Sequence, residues 1–350
     1  MDRHHIVSHP EGNTRIYHRA AFARFTGVDN IGLKHEGENP TGSFKDRGMT
    51  VAVSQARALG RKVLGCASTG NTSAALAAYA AQAEEMQALV FLPAGKVAPG
   101  KLAQAIAYGA KVVAVEGDFD AAMGLVKLAS SKLGIYLVNS VNPFRLEGQK
   151  SVMWEMLEQL EWKVPDWVVV PGGNLGNTSA FGKALLEAYH AGWINRLPRI
   201  AVVQAAGASP FHRAFQNGFE NFVAAQAETI ATAIRIGNPV NFSKAFRVIQ
   251  DLQGVVTAVT DPEILTAKSV IDGCGVGCEP ASACSLAGVR KLVQQGVIKP
   301  HEQVIGVLTG HILKDPESVA LSRNLPAGSM EADVVLSNNL EPLERFLQKS

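Results

Sequence analysis

The chain has 350 residues, is 47% hydrophobic and 18% charged, and carries a formal net charge of +2. That length suits one large or two ordinary domains with buried cores, and the near-neutral balance gives no reason to expect nucleic acid or an anionic membrane as a partner. No apolar run reaches transmembrane length and residues 1–9 are polar and His-containing, so the expected location is cytoplasmic. Cys66, Cys274, Cys278 and Cys284 match no common zinc spacing and read as reduced thiols, with no metal site expected.

In chain order, residues 31–35 predict a short strand that leads into Glu38-Asn39-Pro40-Thr41-Gly42-Ser43-Phe44-Lys45-Asp46-Arg47-Gly48. Asn39-Pro40 and Gly42 are turn chemistry, Ser43 can cap, and the residues from Phe44 onward can propagate a helix. Lys45 then sits in a first helical turn. The positive end of the helix dipole, the nearby Arg47 and burial all disfavour its ammonium form. A free lysine amine titrates near ~10.4, whereas one with a lowered pKa is a nucleophile able to form a Schiff base with an aldehyde. On its own, a lysine in such a turn reads as an exposed cation.

Beyond Lys45, apolar runs and helical patterns alternate. Strands are predicted at 63–67, 88–92, 111–115, 135–138, 167–170, 199–204, 255–259 and 303–308. Helices are predicted from 73, at 101–108, 119–133, 145–160 and 175–191, from 262, and at 280–295. Short, uniformly apolar strands between amphipathic helices imply parallel sheets covered on both faces. There are too many such units for one small sheet, so the predicted fold is α/β with two doubly wound open sheets. Ligands of such sheets lie beyond the carboxyl ends of the strands, so the loops after strands carry the chemistry.

Four loops stand out. Ser68-Thr69-Gly70-Asn71-Thr72 opens a helix and offers hydroxyls and N–H groups to an anion, although a plain helix cap would use some of the same residues. Pro171-Gly172-Gly173-Asn174-Leu175-Gly176-Asn177-Thr178 also joins a strand to a helix. Its glycines permit close approach and positive φ, and successive N–H groups suit a dianionic phosphate. It lacks the Gly-Lys-Ser/Thr ending of a Walker loop and the spacing of a dinucleotide loop. In the stretch from Asn139 to Lys150, Arg145 can fork onto a phosphate with Asn139 and Ser140 as further donors. Leu308-Thr309-Gly310-His311 ends the last strand, and on the residues alone His311 reads as either a base or a structural residue.

In combination these stretches resemble the threonine synthases, within the fold type II enzymes that use pyridoxal 5'-phosphate. Asn-Pro-Thr-Gly-Ser-Phe-Lys-Asp-Arg-Gly (39–48) is similar to that family's cofactor-lysine segment, and its Ser-Phe-Lys core is shared with serine and threonine dehydratases. The resemblance runs from about residue 33 to 316. It implies that Lys45 is the catalytic, cofactor-bearing lysine. It implies that Asn71 meets the phenolic oxygen of the cofactor, that Gly173, Asn174, Leu175, Gly176 and Asn177 cup its phosphate, and that Thr309 meets the pyridine nitrogen. Glu279, in Cys278-Glu279-Pro280-Ala281-Ser282-Ala283, is implied to lie near the cofactor in a structural or hydrogen-bonding role. Ser68, Thr69 and Thr72 are implied to hold the substrate carboxylate. Asn139, Ser140 and Arg145 are implied to hold the phosphate of O-phospho-L-homoserine, an element that dehydratases lack.

The same resemblance implies a large cofactor-binding domain of residues 1–50 and 149–325, a small domain of 51–148 inserted in it, the cofactor between them, and a C-terminal tail at 326–350. It also implies a homodimer. Two other readings compete: a pyridoxal-phosphate-dependent serine/threonine deaminase, opposed by the Arg145 segment, and an inactive metabolite-binding homologue, opposed by the intact Lys45, Asn71, glycine loop and Thr309.

Overall fold

The computed structural model describes residues 2–95, 99–323 and 340–347. The chain opens with β1 (Ile16–Tyr17), α1 (Ala20–Thr26), β2 (Asn30–His35) and α2 (Lys45–Ala58). A run of short units follows: β3 (Val63–Ala67), α3 (Asn71–Gln82), β4 (Gln87–Pro93), α4 (Pro99–Ala107), β5 (Lys111–Val115), α5 (Phe119–Leu133) and β6 (Tyr136–Leu137). Next come α6 (Pro143–Gln149), α7 (Ser151–Gln159), β7 (Trp167–Pro171), α8 (Gly176–His190), β8 (Arg199–Ala205), α9 (Pro210–Gln216) and α10 (Phe242–Asp251). The rest is β9 (Val255–Val259), α11 (Asp261–Gly273), α12 (Pro280–Gln294), β10 (Gln303–Leu308), α13 (Glu317–Ser322) and α14 (Leu340–Leu347).

Two sheets form. The larger has the order β1-β2-β10-β7-β8-β9, antiparallel only at β1. The smaller, β5-β4-β3-β6, is parallel throughout. The period-2 alternation of side chains sends neighbours to opposite faces. In β7, Trp167 and Val169 pack with α11 and α12, while Val168 and Val170 pack with α7, α8 and α10. The smaller sheet divides likewise: Leu64 and Val90 face α2 and α3, and Phe91 faces α5. Both sheets are therefore covered on both faces, as the uniformly apolar strands predict, except at the edge strand β5, where Val112 and Ala114 are exposed.

Local chemistry sets several boundaries. Asn142 accepts the Phe144 N–H at 3.0 Å with Pro143 following it, and so starts α6. Thr260 and Glu263 close a capping box on α11. The single helix predicted over 145–160 is instead two, α6 and α7, separated at Lys150. Just before that point α6 crosses α2, where Gly48 and Gly148 remove side chains from the contact. A Cβ on Gly148 would lie 1.9 Å from the Arg47 carbonyl oxygen. The elements β1, α1, α9 and α10 have no counterpart in the predicted series. The predicted tail from 326 lies outside the described residues except for α14.

Candidate active site

Lys45 is the first residue of α2, and tertiary contacts place it there. The cap position is Phe44, without a side-chain cap bond, so the Ser43 cap predicted from the sequence is not made. Ser43 Oγ only accepts the Lys45 N–H at 3.4 Å. The loop is closed instead by Asp46, which accepts the Thr41 N–H at 2.7 Å and its hydroxyl at 2.5 Å. Residues 42–44 then run against the end of β10. Phe44 N–H donates to the Thr309 carbonyl at 3.0 Å and His311 N–H to that of Gly42 at 2.9 Å. Gly42 has φ +84°, a conformation open to glycine. Backbone bonds thus tie Lys45 to Thr309 across 264 positions of sequence.

Burial lowers the Lys45 pKa to about 7, the Arg145 cation pushes the same way, and Glu279 opposes them. Arg47 is not the responsible neighbour, contrary to the sequence reading. Its guanidinium bonds Glu36 at 2.6 Å and Glu155 at 2.8 Å, and Glu155 in turn takes the buried amine of Lys34 at 2.5 Å. Thr14 joins this cluster through Glu36 at 2.7 Å.

At the end of β10, Thr309 Oγ1 lies 3.0 Å from Ser282 Oγ and 3.5 Å from Glu279 Oε1. The buried Glu279 carboxylate accepts Asn71 Nδ2 at 3.1 and 3.3 Å, so it joins the first residue of α3 to the last-strand loop. Burial raises the Glu279 pKa, against the Asn71 hydrogen bond and the Lys45 charge. The turn before Glu279 uses Gly275 and Gly277, both at positive φ. The fully buried Lys268 fixes that turn through Asp272 and the Cys278 carbonyl, each at 2.7 Å. These glycines serve a turn, not a nucleotide.

The loop from Gly172 to Asn177 follows β7. Positive φ falls at Leu175 (61°), not at Gly172, Gly173 or Gly176 as predicted. Those glycines answer to packing: a Cβ on Gly172 would meet Val202 at 2.6 Å, and one on Gly173 would meet the Ile234 backbone at 3.1 Å. Asn174 and Gly176 are partly exposed there, and Gly173, Leu175 and Asn177 are buried. Asn177 Oδ1 and Thr178 Oγ1 are buried on the first turn of α8 with no hydrogen-bond partner among the described residues. Asn241, which carries no sequence signal, bridges the Asn174 carbonyl at 3.2 Å and that of Ser140 at 3.4 Å. Gln149, also not singled out by sequence, lies between Gly48 and Gly176.

Arg145 is 1% exposed. Its Nη1 donates to the Val138 carbonyl at 3.0 Å, and its Nε has no partner among the described residues. No carboxylate of the described residues forms an ion pair with it, and burial lowers its pKa to about 10. Asn139 clamps Ala67, accepting its N–H at 3.0 Å and donating to its carbonyl at 2.9 Å, which leaves one amide hydrogen over. Ser68 and Thr69 are partly exposed in the loop before α3, and Thr72 is buried on its first turn.

These residues fit a pyridoxal phosphate. A weakly basic amine, a helix N-terminus with a buried hydroxyl that has no partner among the described residues, and a neutral hydroxyl at Thr309 suit an aldehyde, a phosphate and a pyridine nitrogen respectively. Comparisons with known proteins agree. Residues 7–310 match the family model described as pyridoxal-phosphate dependent enzyme. Threonine synthase of Methanocaldococcus jannaschii is 49% identical over 346 residues, covering 98% of this chain and 85% of that protein. Threonine synthase of Methanosarcina acetivorans is 50% identical over 315 residues, covering 89% and 78%. Among solved structures, Escherichia coli threonine synthase superposes with a TM-score of 0.71 at 22% identity, over 97% of this chain and 81% of that one. The processed threonine deaminase isoform 2 of Solanum lycopersicum gives 0.76 at 21% identity, over 89% and 88%, a likeness of fold alone. The chain belongs to the pyridoxal-phosphate-dependent enzymes and, within them, to the threonine synthases.

Proposed function

We propose that the chain converts O-phospho-L-homoserine and water to L-threonine and phosphate. The observation that carries this reading is Arg145: a buried guanidinium, electrostatically coupled to Lys45, without a carboxylate partner among the described residues. A phosphate on the substrate would supply the missing anion through a bidentate contact. Ser140 and the spare amide hydrogen of Asn139 stand on the same segment, and Ser68, Thr69 and Thr72 are assigned to the substrate carboxylate.

Lys45, Asn71, Thr309 and the Gly173–Asn177 loop at the start of α8 would hold the cofactor. When bound, pyridoxal phosphate supplies an electron sink for the negative charge left after loss of a proton from the α-carbon. The remaining steps belong to the protein. Lys45 Nζ, near neutrality in basicity, takes the α-proton and returns protons later in the sequence. Arg145 holds the phosphate as it leaves the γ-carbon, and water adds at the β-carbon.

In the same proposal, residues 51–148 form a small domain inserted into a large one of 1–50 and 149–325, with the cofactor between them. The enzyme works as a cytoplasmic homodimer. The test is to incubate purified protein with O-phospho-L-homoserine and measure threonine and phosphate together. Equal yields support the reading; ammonia and a 2-oxoacid without phosphate would replace it with the deaminase.

A further inference from the structure

The hydroxyl of Ser282 lies on the first turn of α12, fully buried. It accepts two backbone donors, the Thr309 N–H at 2.8 Å and the Gly310 N–H at 2.9 Å. A hydroxyl has two lone pairs and one hydrogen. Both lone pairs are filled, so Ser282 can only donate to any further partner. Two acceptors are near: Thr309 Oγ1 at 3.0 Å and the Gly310 carbonyl at 3.3 Å. The first is within the ordinary O–H···O range and the second beyond it. The Gly310 carbonyl is also already served by the Glu279 N–H at 3.1 Å.

The Ser282 hydrogen therefore goes to Thr309 Oγ1, and Thr309 cannot return its own hydrogen to Ser282. The other acceptor within reach of Thr309 is Glu279 Oε1, at the limiting distance of 3.5 Å and already holding Asn71. We propose that Ser282 is a positioning residue that orders this hydrogen-bond chain, so that Thr309 presents its hydroxyl hydrogen, not a lone pair, to the ring nitrogen of the cofactor. A donor facing that nitrogen stabilises its unprotonated form. Without Ser282, Thr309 Oγ1 loses the donor that fixes its orientation, its hydrogen is no longer held on the ring nitrogen, and that nitrogen is open to a proton from solvent. The inference rests on the placement of Thr309 at the ring given under the proposed function.

The experiment uses holoenzyme reconstituted with cofactor labelled with nitrogen-15 in the ring, and reads the ring-nitrogen resonance at fixed pH. The wild-type resonance is expected at the unprotonated position. Ser282→Ala is expected to move it towards the protonated position. Ser282→Cys, which keeps the shape but substitutes a weak donor and acceptor, should move it part of the way and serves if the alanine variant does not fold. Thr309→Val is the control. If Thr309→Val moves the resonance while neither Ser282 variant does, the role of Ser282 is overturned. If Thr309→Val leaves it unmoved, the placement of Thr309 fails, and this inference with it.

Discussion

Two buried arginines lie on either side of the Gly48–Gly148 crossing, and their surroundings are opposite. Arg47, 3% exposed, is enclosed by Glu36 and Glu155. Burial works against its charge, but those carboxylates outweigh it and its pKa rises. Arg145, 1% exposed, has among the described residues one carbonyl bond and no partner for its Nε, and a pKa lowered to about 10. The first charge is neutralised within the fold and anchors the segment that carries Lys45. The second is left over, and a buried cation without an anion is costly unless a ligand brings one. Motif membership does not distinguish the two; their electrostatic surroundings do.

The comparison can be broken most strongly at Arg47. Arg47→Met should destabilise the protein by ~3–5 kcal/mol, because Glu36 and Glu155 lose their buried counter-charge. Denaturant unfolding checks this, and Arg145→Ala should lower stability by clearly less. Arg145→Ala should instead cost ~2–4 kcal/mol in transition-state binding of the phosphorylated substrate. Steady-state kcat/KM measures that, and parity with wild type would remove Arg145 from the phosphate site.

A third effect is smaller and depends on pH. The Glu155 carboxyl is held at about 2, below its ordinary 4.5, by Arg47 and Lys34 acting against burial. A lowered acid contributes stability in full above its unfolded value, and that contribution is lost as pH falls from 4.5 towards 2. With solvent screening allowed for, the loss should be ~1–2 kcal/mol. The difference between wild-type and Glu155→Gln melts over that window isolates it. The smallest effect is on Lys45 itself. Capture of cofactor by the apo-protein should rise with pH around a midpoint near 7, since only the free amine attacks. Arg145→Ala should move that midpoint upward by under ~1 unit, because Arg145 is the secondary cause of the shift. Stopped-flow absorbance follows it, and an unmoved midpoint would separate the two groups.

Much of this is visible in the sequence because it depends on local order. Val63 to Ala67 and Trp167 to Val170 are apolar without interruption, which only a strand buried on both faces tolerates, and the two doubly wound sheets follow. The loops of the site are likewise contiguous strings whose residue types suit anions. Other features are not local. Asn241 reaches the site from a segment with no motif, and the Thr14–Glu36–Arg47–Glu155–Lys34 cluster draws on four separated stretches. Nothing near Arg47 in sequence distinguishes it from a residue aimed at Lys45.

By itself, then, the sequence marked most of the strands and helices, and the loops and the lysine that we assign to the site, since each of these readings rests on contiguous residues. Only the tertiary structure decided which charges cancel and which stay available. It alone set the Ser282–Thr309–Glu279–Asn71 chain, turned Arg47 to Glu36 and left Arg145 without a carboxylate partner among the described residues. Electrostatics depends on distance and burial in space, and a linear order of residues carries neither.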